Sequence, residues 1–144
     1  MKTHVNLRTK NLAASVSFYR TLLQAEPEKH FGDYALFITE DPGLELALDS
    51  DPSAEVTDPA HYGIVVGTPD DVEAAILRLQ AANLRTTVER DETCCYALQT
   101  KVWVADPDGR RWEIYTVLKD TQTRGDRETS CCRSDVGAES CCSV

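Results

Sequence analysis

The sequence predicts an α+β fold made of two similar βαβββ modules whose mixed sheet rolls around a metal site. The first observation behind this prediction is that one order of patterns, a strand, a helix and three strands, occurs twice along the chain. The second is that a histidine opens the first strand of each half, at His4 and His61. The third is a carboxylate in an apolar strand of each half, Glu45 and Glu113. The two histidines are 57 residues apart and the two glutamates are 68 residues apart. The difference of eleven predicts that the second half is about eleven residues longer.

Module one is predicted over residues 1–49. A strand at about 3–8 precedes a helix whose apolar positions repeat at helical spacing, at Leu12, Val16, Tyr19, Leu22 and Leu23. Strand-like runs follow near 27–32, 34–40 and 44–48. Residues 50–59 are rich in Asp, Pro and Ser, and they are expected to form a linker.

Module two is predicted over residues 60–118. A strand at about 61–67 precedes a helix at about 69–82, with Pro69 in its first turn. Strands are expected near 84–89, 98–105 and 111–117, and Asp106-Pro107-Asp108-Gly109 is a strong turn signal between the last two. The extra residues are expected in a polar loop around 90–100. Residues 119–144 are almost free of apolar side chains and are expected to form a disordered tail.

Composition excludes several classes of partner. The formal net charge of −9 argues against nucleic acid and against anionic lipid, since both bind clusters of Lys and Arg. No apolar run approaches the length of about 18 residues that a membrane-spanning helix needs. Lys2 is not followed by an apolar segment, so we expect no secretory signal and a cytoplasmic protein with reduced thiols.

Two imidazoles and one carboxylate are the ligand set of a non-heme Fe(II) centre with open coordination positions. His4, His61 and Glu113 are therefore the candidate metal ligands. Glu113 stands between Trp112 and Ile114, so alternation places it on the face opposite these two apolar residues. A carboxylate buried there needs a cation or hydrogen bonds. Glu45 is either a fourth ligand or a solvated residue, and the third histidine, His30, is expected to face water.

The six cysteines form three pairs of sequence neighbours, Cys94-Cys95, Cys131-Cys132 and Cys141-Cys142. Neighbouring Cα atoms lie about 3.8 Å apart, which is shorter than the roughly 4.4–6.8 Å of an unstrained disulfide. A bridge within a pair is therefore unfavourable. Cys94 and Cys95 are either small buried hydrophobes or accessible thiols for a soft, thiophilic substrate. Their polar neighbours, from Arg90 to Thr93, favour the second interpretation.

Residues 1–118 resemble the vicinal oxygen chelate superfamily, which includes glyoxalase I, extradiol dioxygenases and bleomycin-resistance proteins. The resemblance is carried by the paired modules, the histidine in each first strand, and the Asp-Pro-Asp-Gly turn followed by Trp112-Glu113. Thr93-Cys94-Cys95-Tyr96-Ala97 and Lys101-Val102-Trp103-Val104 are more specific. They resemble the ArsI/CadI group, which contains the C–As lyases of organoarsenical resistance and the cadmium-induced proteins.

The resemblance implies a dioxygenase that uses Fe(II) and dioxygen to cleave the carbon–arsenic bond of a trivalent organoarsenical such as methylarsenite. Iron would be held by His4, His61 and Glu113, and the substrate would be held by Cys94 and Cys95 as its dithiolate. Two alternatives stay open: a non-catalytic thiol protein that sequesters Cd(II) or As(III), and a glyoxalase-type isomerase that uses Ni(II) or Zn(II). The sequence also leaves open whether the site closes within one chain or across a homodimer.

Overall fold

Module one forms its own four-stranded mixed sheet. The computed structural model describes residues 1–57 and 59–125. The first elements are β1 (Thr3–Thr9), α1 (Leu12–Leu23), β2 (Lys29–His30), β3 (Tyr34–Thr39) and β4 (Leu44–Ser50). The strand order is β1-β4-β3-β2, and β1 runs parallel to β4. Asn11 begins α1, because its side chain accepts a hydrogen bond from the Ala14 amide.

Module two repeats this arrangement with longer strands. It contains β5 (His61–Val65), α2 (Pro69–Ala81), β6 (Thr86–Cys94), β7 (Ala97–Ala105) and β8 (Arg111–Asp120). The strand order is β5-β8-β7-β6, and β5 runs parallel to β8. Thr68 and Asp71 form a reciprocal capping box at the start of α2, where Pro69 takes the first position. The first strand of each module therefore lies at the edge of its sheet.

The two modules share one hydrophobic core. Buried residues from both helices and both sheets belong to a single cluster, which includes Val16, Leu46, Leu79 and Ile114. Arg78 on α2 ties the helices together, because its Nε donates to the carbonyl of Thr21 on α1. The helix-covered faces of both sheets therefore turn toward this shared core, and their other faces turn away from it.

A buried polar network fixes one module against the other. The hydroxyl of Tyr19 on α1 donates to Oδ2 of Asp106 at 2.8 Å, and it accepts from Nε1 of Trp112 at 3.3 Å. Arg110 pairs with the same Asp106 oxygen at 3.1 Å. Burial, together with the negative charge of Asp106, raises the pKa of Tyr19 far above its usual value, so this hydroxyl stays a neutral donor.

Most elements that the sequence predicts are confirmed. The α+β class and the paired βαβββ modules are confirmed, α1 contains all five predicted apolar positions, and α2 begins at the predicted residue, Pro69. Trp112 and Ile114 lie in the core while Glu113 lies on the opposite face, and His30 is exposed. No helix among the described residues is long and apolar enough to span a membrane.

The prediction of a polar loop around residues 90–100 is wrong. The extra residues lengthen a β-hairpin, because β6 runs to Cys94 and β7 resumes at Ala97. β8 also passes the predicted boundary at residue 118 and ends at Asp120. Ala97 pairs with Asp120 and Leu98 with Lys119. Backbone pairing with the long hairpin therefore extends β8, although the side chains there are polar.

The Tyr19→Phe variant tests the network between the modules. Loss of the hydroxyl removes one of the two donors to Oδ2 of Asp106 and the acceptor of the Trp112 Nε1 group, and hydrogen bonds to charged groups typically contribute about 2 kcal/mol. We expect the free energy of unfolding, measured by urea denaturation, to fall by about that amount. Tyr34→Phe, which changes a half-buried ring on β3, is the control. Equal losses in both variants would contradict a specific role for the Tyr19 hydroxyl.

Candidate metal and thiol site

His61 and Glu113 meet on the open face of the second sheet. Nε2 of His61 on β5 lies 3.5 Å from Oε1 of Glu113 on β8. The other Glu113 oxygen, Oε2, accepts a hydrogen bond from Nζ of Lys101 at 2.9 Å. The distance of 3.5 Å exceeds that of a good hydrogen bond, so Oε1 and the imidazole both keep lone pairs that a cation can use.

A glycine makes room for this carboxylate. Gly63 lies directly opposite Glu113 in the parallel ladder. A Cβ at this position would stand 3.0 Å from Cε1 of Tyr115 and 3.3 Å from Oε1 of Glu113. Because no side chain fills that space, the carboxylate can lie over β5 and approach His61. The absent side chain therefore leaves space next to Oε1 of Glu113.

Module one contains a second imidazole–carboxylate pair. Nδ1 of His4 lies 3.5 Å from Oε2 of Glu45. The sequence predicts that Glu45 and Glu113 occupy equivalent positions in the two modules, but their positions in the strand register differ by two residues. Glu45 lies opposite His4 itself, whereas Glu113 lies opposite the residue two positions after His61. A shift of two keeps the side chain on the same face of the sheet, so the sequence spacing could not reveal it.

The two pairs are not joined within one chain. The part of the chain that the structure describes has no group of three or more His, Cys, Asp and Glu side chains arranged to hold a metal ion. A cleft of about 460 Å³ between the end of α1 and the start of α2 has neither pair in its lining. Each pair instead lies on the open face of its own sheet. His4, His61 and Glu113 therefore remain predicted ligands that a single chain does not bring together.

Cys94 and Cys95 lie at the tip of the β6–β7 hairpin. Cys94 ends β6 and is buried, whereas Cys95 is an exposed free thiol. Their Sγ atoms are 3.2 Å apart, which confirms that no disulfide joins them. Cys94 is disulfide-bonded in this structure, so a ligand held by both sulfurs requires reduction first. The predicted pairs Cys131-Cys132 and Cys141-Cys142 lie outside the described residues.

The turn at this tip has unusual backbone geometry. Cys95 and Tyr96 have φ values of 55° and 65°. Two consecutive positive φ angles define the turn type that Asn-Gly normally occupies. Side chains with a Cβ are strained in this region, and such strain is found at sites where function requires a fixed geometry. The turn fixes the direction of the Cys95 side chain, which a flexible loop would not do.

Tyr115 interacts electrostatically with both the Glu113 carboxylate and the Cys95 thiol. Partial burial is the main cause that raises the pKa of its hydroxyl, followed by the negative charges of Glu113 and Cys95. Both groups are therefore within electrostatic range of one phenol. The strand register shifts at Glu89–Glu92 and at Leu98–Gln99, as it does at a β-bulge.

Sequence reasoning missed three residues of this face, Gly63, Lys101 and Trp103. Trp103 contacts the imidazole of His61 edge-on, with ring centroids 5.1 Å apart. Lys101 and Trp103 share one face of β7, while Val102 and Val104 point into the core. This alternation was visible in the sequence. A lysine in a strand usually faces solvent, however, so alternation alone did not identify a buried one.

Comparison with known proteins finds a matching family model and similar proteins. The family model described as the Glyoxalase/Bleomycin resistance protein/Dioxygenase superfamily matches residues 3–114. The "Cadmium-induced protein CadI" of Mycobacterium bovis is 42% identical over 141 residues, which are 98% of this chain and 92% of that protein. The "Trivalent organoarsenical cleaving enzyme" of Bacillus sp. strain MD1 is 36% identical over 143 residues, 97% of this chain and 89% of the enzyme.

A solved structure shows the same fold at low sequence identity. The glyoxalase/bleomycin resistance protein/dioxygenase from Alicyclobacillus acidocaldarius superposes with a TM-score of 0.66 at 15% identity. The match covers 83% of this chain and 92% of that one. The arrangement of two βαβββ modules is therefore shared well beyond the range of sequence similarity.

The strain in the hairpin turn is tested with Tyr96→Gly. Glycine adopts positive φ without the Cβ clash, so we expect the free energy of unfolding to rise by about 0.5–1 kcal/mol. Ala97→Gly is the matched control, because it introduces glycine one residue later, inside β7. That variant should lower stability in the same urea titration. Destabilisation by both would show that the turn stores no strain.

Proposed function

The chain belongs to the glyoxalase/bleomycin resistance protein/dioxygenase superfamily, and we propose that it cleaves the carbon–arsenic bond of trivalent organoarsenicals such as methylarsenite. The observation that carries the proposal is that one sheet holds both an imidazole–carboxylate pair and a thiol-bearing hairpin tip. A relative named for organoarsenical cleavage, 36% identical over nearly the whole chain, supports the same activity.

The donor set fits a divalent metal such as iron. His4, His61 and Glu113 would hold Fe(II), because imidazole and carboxylate ligands with open positions suit this ion. The space beside Gly63 and the uncommitted Oε1 of Glu113 agree with a cation at this point. When bound, the iron would supply the activation of dioxygen that oxidation of the substrate needs.

The thiols would supply binding and orientation. Trivalent arsenic is soft, so thiolates bind it better than imidazole or carboxylate does. Two sulfurs 3.2 Å apart can bind one arsenic atom together after Cys94 is reduced. Two bonds to one rigid turn fix the orientation of the substrate's organic group, which removes much of the entropic barrier of the reaction.

The overall reaction balances with dioxygen as the second substrate. One methylarsenite and one dioxygen contain the atoms of one arsenous acid and one formaldehyde. The carbon–arsenic bond breaks, carbon is oxidised, and dioxygen is reduced, so no further reductant is consumed. Oxygen uptake and formaldehyde release are therefore expected in a one-to-one ratio.

We further propose that two copies of the chain complete the site. Each module offers one imidazole–carboxylate pair, and the described residues of one chain do not unite the pairs. His4 and His61 lie on β1 and β5, the edge strands of the two sheets. A two-fold symmetric dimer can therefore bring His4 of one copy to His61 and Glu113 of the other, which gives two sites per dimer.

A second function has its own support. The relative with 42% identity is named as a cadmium-induced protein, and adjacent sulfurs also suit Cd(II). This alternative predicts thiol-dependent metal binding without oxygen consumption. It differs from the proposed lyase in that added iron would not change the binding of Cd(II) or the arsenical.

Mixing two inactive variants tests the dimeric site. We expect His4→Ala and His61→Ala each to lose Fe(II) binding, because each lacks one ligand. After the two are unfolded and refolded together, half of the dimers contain both variants, and one of their two sites has every ligand. Iron content should therefore return to about a quarter of the wild-type value. A site that closes within one chain would recover none.

The lyase activity is tested with Cys95→Ser. The reduced wild-type protein, reconstituted anaerobically with Fe(II) and exposed to air, should convert methylarsenite to arsenite with uptake of oxygen. Cys95→Ser should lose most arsenical binding and turnover while it keeps its iron, because a thiolate and not a metal ligand is removed. Ser53→Ala is the control, because Ser53 is exposed in the segment between β4 and β5, away in sequence from the β6–β7 tip. Wild-type turnover by Cys95→Ser would refute the role of the thiols. Arsenical binding by the wild type without oxygen uptake would favour sequestration.

A further inference from the structure

Lys101 is a buried cation on the open face of the second sheet. Its side chain on β7 belongs to a residue that is only 2% exposed, and Nζ donates to Oε2 of Glu113 at 2.9 Å. A buried ammonium is costly unless a group of opposite charge accepts from it. Glu113 is that acceptor, so one of the two oxygens of this carboxylate is already committed.

Two aromatic rings hold the ammonium in place. Nζ of Lys101 lies 5.4 Å from the ring centroid of Trp103 and 5.7 Å from that of Tyr115. Both distances fall within the range of cation–π attraction. Tyr115 is also the residue directly opposite Lys101 on β8. The ammonium is therefore fixed against Oε2 by its surroundings as well as by its charge.

The second oxygen of Glu113 points toward a different neighbour. Oε1 lies 3.5 Å from Nε2 of His61. The absent side chain of Gly63 leaves the approach to this oxygen open, since a Cβ there would stand 3.3 Å away. The carboxylate thus has one oxygen bound to a cation of the protein and one oxygen beside the imidazole.

We propose that Lys101 is a positioning residue that restricts Glu113 to metal binding through Oε1 alone. This inference rests on the metal site of the proposed function. With Oε2 bound to the ammonium, the carboxylate cannot offer both oxygens to one ion. One coordination position is thereby kept open that a chelating carboxylate would fill.

A second carboxylate on the same face supplies a control. Glu89 on β6 lies directly opposite Lys101. Its Oε1 accepts from Nε1 of Trp103 at 3.2 Å, and its Oε2 is buried with no hydrogen-bond partner among the residues that the structure describes. Glu89→Gln removes a negative charge from this face without changing a contact of Glu113. It therefore separates an effect of net charge from an effect of position.

Infrared difference spectroscopy with Co(II) as the probe tests the proposal on the full-length chain. The separation between the asymmetric and symmetric carboxylate stretching bands is wide when one oxygen binds a metal and narrow when both do. Bands that disappear in Glu113→Gln belong to Glu113. We expect a wide separation in the wild type, in Lys101→Arg and in Glu89→Gln. In Lys101→Met both oxygens are free, so the separation should become narrow.

Co(II) affinity supplies a second readout. Lys101→Met keeps both imidazoles and Glu113, so its dissociation constant should stay within about a hundredfold of the wild-type value, the range for residues that orient a ligand. A larger loss would overturn the proposal, because Lys101 would then be needed to form the site. If Lys101→Met does not fold, the double variant Lys101→Met/Glu89→Gln removes one charge of each sign and serves the same test.

The outcomes separate this inference from the proposed function. A wide band separation in Lys101→Met, or a narrow one in Glu89→Gln, would overturn the positioning role and leave the metal site intact. A wild-type protein that binds no Co(II) would overturn the metal site and the positioning role together.

Discussion

The buried carboxylate of Asp106 is the constraint on which the arrangement of the two modules depends. It accepts hydrogen bonds from the Tyr19 hydroxyl, from the Arg110 guanidinium, and from the Arg110 and Asp108 amides. A charge buried in this way is tolerated only when its lone pairs are satisfied, and the donors come from both modules. The network therefore fixes the helix-covered faces against each other. The faces that bear the His–Glu pairs turn outward, which is why the two pairs do not meet within one chain.

Glu113 differs from Asp106 in what its partners leave free. Both oxygens of Asp106 accept hydrogen bonds from groups of the protein, so neither is left to bind a ligand. Glu113 has one strong donor, Lys101, and its other oxygen only approaches His61 at 3.5 Å. Only one of the two Glu113 oxygens has a strong hydrogen-bond donor. Burying the Lys101–Glu113 pair also has a desolvation cost for the lysine, so the pair is poorly explained by a contribution to stability alone. It agrees with the proposal that Glu113 is held in position to bind a cation.

The sequence predicted the features that depend on local patterns. Alternation placed Trp112 and Ile114 in the core and Glu113 opposite them, and Pro69 and Asp106-Pro107-Asp108-Gly109 marked a helix start and a turn. Features that depend on pairing between distant strands were not predictable. The hairpin tip at Cys95-Tyr96 lacks the Asn or Gly that its backbone angles favour, so a loop was the natural expectation. The burial of Lys101 depends on two rings and a carboxylate that only the folded sheet brings together.

The difference in register between the modules explains why the duplicated carboxylates are not equivalent. Glu45 lies opposite His4, and its side chain is 41% exposed, compared with 10% for Glu113. In β1 the residue two positions after the histidine is Asn6, where β5 has Gly63, so module one lacks the space over which Glu113 lies. In module two Lys101 lies opposite the residue two positions after Glu113, and the corresponding residue of β3, opposite Ala47, is Leu36, which cannot donate to a carboxylate. Module one therefore provides an imidazole on an edge strand, and module two provides an imidazole with an oriented carboxylate. This asymmetry agrees with the proposal of three protein ligands rather than four, which would leave more coordination positions of a bound metal open.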